Sequence, residues 1–202
     1  MELKIAKIVS VLFHPLLIPA YTTLLLFNLN SYIAFQIPYQ AKLLILGMIV
    51  ITTFFFPVLF ILIMKRRGMI KSLQMENREE RLYPFIITAI FYFLTYQMIR
   101  QLQIPDVYKL FILGSAILVL LSMGINFFMK ISIHMVGIGG MLGALIGLSL
   151  HINLNMVYSI ILIIVISGIV GFSRLKLDAH KPLQVYSGFL MGVAVMSLVL
   201  LF

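Results

Sequence analysis

The chain has 202 residues, of which 62% are hydrophobic and 10% charged, with a mean hydropathy of +1.13 and a formal net charge of +9. Such a composition cannot furnish a water-solvated surface, so a soluble globular domain is excluded and an integral membrane protein is expected. The lack of cysteine removes disulfides, thiolate catalysis and cysteine-ligated metal sites.

The apolar runs approach the roughly 20 residues that a helix needs to cross the hydrocarbon core, and they lack the alternation of barrel strands. The expected fold is all-α, a polytopic membrane helix bundle of six to seven transmembrane helices in a single domain over residues 1–202. The first span is placed at 6–29; its apolar stretch runs on past Tyr21 without a small-x-small cleavage pattern, unlike a signal peptide. Further spans follow at 42–64, 84–101, 107–128, 134–150, 156–172 and 184–202. Connections are short except for KRRGMIKSLQMENREERLY, residues 65–83, which is too charged for lipid and too short for a second domain. Gly139, Gly143 and Gly147 fall on one face of the fifth span, and Gly188 and Gly192 on one face of the seventh. That spacing predicts close helix packing in lipid.

Seven crossings put the N-terminus and the segments 65–83, 129–133 and 173–183 on one side. Twelve of the fifteen Lys and Arg lie there: Lys4, Lys7, Lys65, Arg66, Arg67, Lys71, Arg78, Arg81, Lys130, Arg174, Lys176 and Lys181. Only Lys42, Arg100 and Lys109 lie opposite. The positive-inside rule makes the crowded side cytoplasmic, and the expected location is a bacterial inner membrane. Anionic lipid headgroups would attract the same cations.

Orientation does not explain why cations, serines and histidines recur at fixed offsets. Ser173-Arg174 is followed after five residues by His180, and Lys130, Ser132 and His134 stand at alternate positions. Lys71 is followed after six residues by Arg78. Three basic clusters on one membrane side suggest a single anion site.

In these residues the chain resembles the type 2 phosphatidic acid phosphatase superfamily, which shares its helical core with bacterial acid phosphatases and vanadium haloperoxidases. The family motifs are Lys, six residues, Arg-Pro; then Pro-Ser-Gly-His; then Ser-Arg, five residues, His, three residues, Asp. Here the first survives as Lys71 and Arg78 with Glu79 for proline, and Arg81 before Pro84 is a competing placement. The second survives as Ser132-Ile133-His134, with Ile131 for proline and Ile133 for glycine. The third is Ser173, Arg174 and His180, with Gln184 where the family has aspartate. The fragments lie in the family's order and cover residues 71–184.

Elementary chemistry gives these residues compatible tasks. A phosphomonoester carries nearly two negative charges, so a site at a bilayer surface needs fixed cations and donors. Arg174 and Arg78 (or Arg81) offer planar forks to two oxygens, while Lys71 and the Ser132 hydroxyl add single contacts. Without cysteines or clustered carboxylate and histidine ligands, a mechanism free of metal and cofactor is favoured. Neutral His180 would attack phosphorus and protonated His134 would donate to the leaving alkoxide, the division of labour that the resemblance also implies. Gln184 can orient His180 from one helical turn away but cannot compensate the imidazolium charge. The leading expectation is therefore a phosphatase of lipid phosphates or polyprenyl (di)phosphates. The alternative is a weak or inactive relative that binds or carries an anionic phospholipid. A channel or ion-coupled transporter is disfavoured because no charged residue lies well inside a span, Lys7, Lys42, Arg100 and Lys109 all falling near span ends. The expected partners are a lipid phosphate and a bilayer with anionic lipids, without nucleic acid.

Other polar residues have plainer explanations. His14, beside Pro15, is expected at a kink or interface, and His151 at the opposite membrane face. Glu76, Glu79 and Glu80 are expected to neutralise basic neighbours in a solvated loop.

Overall fold

A computed structural model describes residues 2–72 and 79–202, and every regular element among them is helical. In chain order these are α1 (Glu2–Leu12), α2 (Ile18–Phe27), α3 (Tyr32–Phe35), α4 (Tyr39–Val50), α5 (Phe56–Arg66), α6 (Leu82–Arg100), α7 (Asp106–Asn126), α8 (Ile133–His151), α9 (Val157–Lys176) and α10 (Pro182–Leu201). Among the described residues, seven stretches are long and apolar enough to cross a membrane: Glu2–Phe27, Tyr39–Arg66, Glu79–Arg100, Asp106–Asn126, Ile133–His151, Val157–Lys176 and Pro182–Leu201. The all-helical membrane architecture expected from composition is thus present. Several ends lie further out than the apolar runs suggested. α9, for instance, continues through Arg174 to Lys176, where basic side chains complement the partial negative charge of a helix C-terminus.

Two of the spans are interrupted, each near a proline. The first breaks between α1 and α2 at His14-Pro15, where His14 Nδ1 accepts from the Leu16 N–H at 3.3 Å and caps a short 3₁₀ turn, Pro15–Leu17. In the second, a π-helical turn over Ile51–Phe55 joins α4 to α5 just before Pro57, whose nitrogen cannot donate to the ladder.

The helices pack as two compact units. One comprises residues 19–128, in which α6 packs on α7 and on the π-helical turn, with Thr95 meeting Thr52 hydroxyl to hydroxyl at 2.7 Å. The other comprises residues 1–18 and 129–202, and it centres on α8 against α10, with α9 packed on α8 and on α1. α8 and α10 approach to backbone contact. A Cβ added at Gly147 would lie 2.6 Å from the Ser197 carbonyl oxygen, and one at Gly192 would lie 2.7 Å from the Gly140 nitrogen. The glycine spacing is therefore spent on packing between these two helices, supported by a hydrogen bond from the Ser197 hydroxyl to the Gly143 carbonyl at 3.1 Å.

Candidate functional site

The second and third sequence fragments meet in the unit formed by residues 1–18 and 129–202. Ser132 is the N-cap residue of α8, and its N–H donates to the Gln184 carbonyl in the first turn of α10 at 3.1 Å. This bond sets the start of α8, with His134, beside the start of α10. α9 ends at Lys176, Asp178 takes a left-handed conformation with φ of 50°, and Pro182 opens α10 in a position suited to its fixed φ. The turn between α9 and α10 buries His180, while Asp178 is exposed.

His180 and Gln184 are in direct contact, with Nδ1 3.2 Å from Oε1. An amide oxygen only accepts, so His180 donates its Nδ1–H and the neutral ring keeps its lone pair on Nε2. The same Gln184 oxygen accepts the Lys181 N–H at 3.1 Å in a capping box, which holds the side chain in place as an acceptor.

His134 is oriented by a residue that the sequence fragments do not contain. Its Nε2 lies 3.0 Å from the Ser10 carbonyl oxygen on α1, so Nε2–H donates and the neutral ring keeps its lone pair on Nδ1. The Ser10 hydroxyl also accepts from Arg174 Nη1 at 3.1 Å. This is the guanidinium's only hydrogen bond among the described residues, and its buried Nε–H has no partner there. His14, one turn after Ser10, packs edge-on against His134 with ring centroids 5.8 Å apart. Arg174, His14 and His180 all lie within electrostatic reach of His134.

The remaining polar groups sort clearly. The Ser132 hydroxyl is fully buried, caps no backbone N–H and has no hydrogen-bond partner among the described residues. Ser173, by contrast, donates to the Ile169 carbonyl of its own helix at 2.8 Å, a structural bond. Glu2 and Lys176 form an exposed 2.7 Å ion pair that joins the start of α1 to the end of α9. Between those helices runs a mostly apolar groove of about 170 Å³ lined by Ile5, Ala6, Val9, Ile169 and Phe172 together with Glu2 and Ser173. Among the described residues no cluster of three His, Cys, Asp or Glu side chains is placed to hold a metal ion.

The described residues of the first fragment fall in the other unit. Lys71 and Arg81 are in the unit of residues 19–128, Lys71 exposed and Arg81 buried, whereas Arg78 lies outside the described residues. Glu80 approaches the Lys71 backbone N–H through Oε2 at 3.4 Å. His151 donates from Nδ1 to the Leu201 carbonyl at 3.1 Å and so ties off the end of α10. His14 does more than the sequence suggested: it caps the break, as Pro15 implied, and it also abuts His134. A signal for α1 did exist in the sequence, since Ser10 and His14 are two polar residues four apart inside a largely apolar run.

Comparison of the chain with protein-family models, curated proteins and solved structures finds no match.

Proposed function

We propose that this protein is a membrane phosphatase that removes phosphate from a lipid phosphate or polyprenyl (di)phosphate through a phosphohistidine. The observation that carries the reading is His180 donating Nδ1–H to Gln184, which puts the neutral ring's lone pair on Nε2, while the Gln184 backbone carbonyl accepts from the Ser132 N–H at the start of the helix that carries His134. His134 enters the cycle as the imidazolium, with Nε2–H on Ser10 and a second proton on Nδ1; His180 Nε2 attacks phosphorus as the ester P–O bond breaks, and the departing alkoxide takes that Nδ1 proton, leaving the neutral ring. Water then attacks the phosphohistidine, returning a proton to His134 Nδ1 and releasing inorganic phosphate and neutral His180. Arg174 and the Ser132 hydroxyl hold phosphoryl oxygens throughout. Lys71 and Arg78 or Arg81 are assigned to phosphate by the resemblance alone.

Depth supports a lipid rather than a water-soluble ester. Ser10 lies about 12 Å along α1 from Glu2 at about 1.5 Å per residue, and the neighbouring groove between α1 and α9 is mostly apolar. The excess of cations supports a site on the cytoplasmic face, in keeping with the bacterial inner membrane expected from the sequence. A second reading, an anionic-lipid binder without turnover, is favoured by one observation: the acceptor for His180 is an amide, which does not compensate an imidazolium.

The test is phosphate release by purified protein from lipid phosphates, polyprenyl phosphates and a soluble phosphoester in the presence of EDTA. Turnover of the lipids, trapped phosphoenzyme in the wild type and none in His180→Ala are expected. Full activity in His180→Ala would sink the mechanism, and lipid-phosphate binding without any turnover would establish the second reading.

A further inference from the structure

We propose that Ser10 of α1 is a positioning residue of the phosphate site: its hydroxyl fixes Arg174 and its carbonyl fixes His134, so that both present their remaining polar edges to one phosphoryl group. The inference rests on the phosphate reading of the site.

Two side chains from different helices converge on this one residue. Arg174 of α9 donates from Nη1 to Ser10 Oγ at 3.1 Å, and His134 of α8 donates from Nε2 to Ser10 O at 3.0 Å. A guanidinium has two forks that suit an oxyanion, and the side-on fork pairs Nε with the other terminal nitrogen, Nη2. With Nη1 held by Ser10, rotation of the guanidinium is restricted, and the side-on fork is the one left for a ligand. Its Nε–H is buried without a partner among the described residues, which is costly for a charged donor unless an acceptor arrives. The buried Ser132 hydroxyl, at the N-cap of the helix that carries His134, is a second donor without a partner there. Unsatisfied donors on a cationic cluster point to an anion that accepts from them.

At His134 the effect is on the tautomer. A backbone carbonyl accepts only, so Nε2 must carry a proton and Nδ1 is the nitrogen that exchanges a proton with substrate. Ser10 thus does for His134 what Gln184 does for His180, with the reactive nitrogen on the other ring position. A neutral hydroxyl on Arg174 also leaves the full cationic charge for the phosphoryl group, where a carboxylate would neutralise it.

The test is a double-mutant cycle read by inorganic phosphate binding, and by kcat and KM separately, in the full-length protein. Ser10→Ala is expected to weaken phosphate binding about tenfold, with Ser10→Thr, which keeps the hydroxyl, restoring most of it. In an Arg174→Lys background, Ser10→Ala is expected to change binding less than about twofold, since its effect acts through the guanidinium. Wild-type affinity in a folded Ser10→Ala protein, or an equal loss in both backgrounds, overturns the role of Ser10 and leaves the phosphate reading standing. Absence of phosphate binding in the wild type, or binding indifferent to Arg174→Lys, overturns both. Independently of any variant, ¹⁵N spectra of labelled histidine are expected to show His134 protonated on Nε2 with its lone pair on Nδ1; the opposite tautomer refutes the proposal.

Discussion

Gln184 carries two hydrogen bonds on one oxygen, from the His180 ring and from the Lys181 backbone, and this decides what a charge at that position would do. Gln184→Asp replaces a neutral acceptor by one that stabilises the imidazolium, so a phosphatase is expected to speed up several-fold, measured as phosphate release. A pure binder would respond in the opposite sense, with weaker lipid-phosphate affinity and still no turnover. At His134, alanine is expected to slow phosphoenzyme formation most for esters with poor leaving groups; equal slowing for good and poor leaving groups would remove it as the proton donor. The contact of His180 with Gln184 was legible in the sequence from their four-residue separation, although His180 reaches Gln184 from the turn before Pro182 and not from a shared helix face. The contact of Ser10 with Arg174 was not, because the partners are 164 positions apart and a lone serine in an apolar helix has many possible destinations.

At the scale of helices, the spacing of His134 and His180 depends on how closely α8 and α10 run. Gly192→Ala sets a methyl group against the Gly140 nitrogen and is expected to destabilise the protein by about 1–3 kcal/mol, seen as a lower melting temperature in detergent. Gly168→Ala on α9 meets nothing within 4 Å and is expected to be neutral or slightly stabilising. Equal melting of the two variants would show that the glycine face does not hold this pair. Glycines four apart announced such a contact in the sequence, but not which helix would receive it. The end of α9 was set too early, at 172, because hydropathy falls at Ser173 while the helix continues with charged side chains at its terminus. The π-helical turn before Pro57 left no periodic signature, being one widened turn in a continuous apolar run.

For the whole molecule, the number of crossings follows from hydropathy, whereas side of entry follows from charge. The chain has no cysteine, so single cysteines can be introduced on a silent background. A membrane-impermeant maleimide added outside intact cells is expected to label Gln103→Cys, between α6 and α7, and to spare Arg67→Cys, after α5; the reverse pattern would invert the topology. What hydropathy could not convey is the pairing of residues 1–18 with residues 129–202 in one unit, since no local pattern encodes a partner so far along the chain. That pairing has a consequence for biosynthesis. At roughly 5–20 residues per second, α1 enters the bilayer on the order of ten seconds before α9 leaves the ribosome, and through that interval Ser10 lacks Arg174. The first helix therefore lacks its α9 partner until translation is nearly finished, and a chain that stops before α9 leaves a fragment in which Ser10 has no Arg174 to accept from.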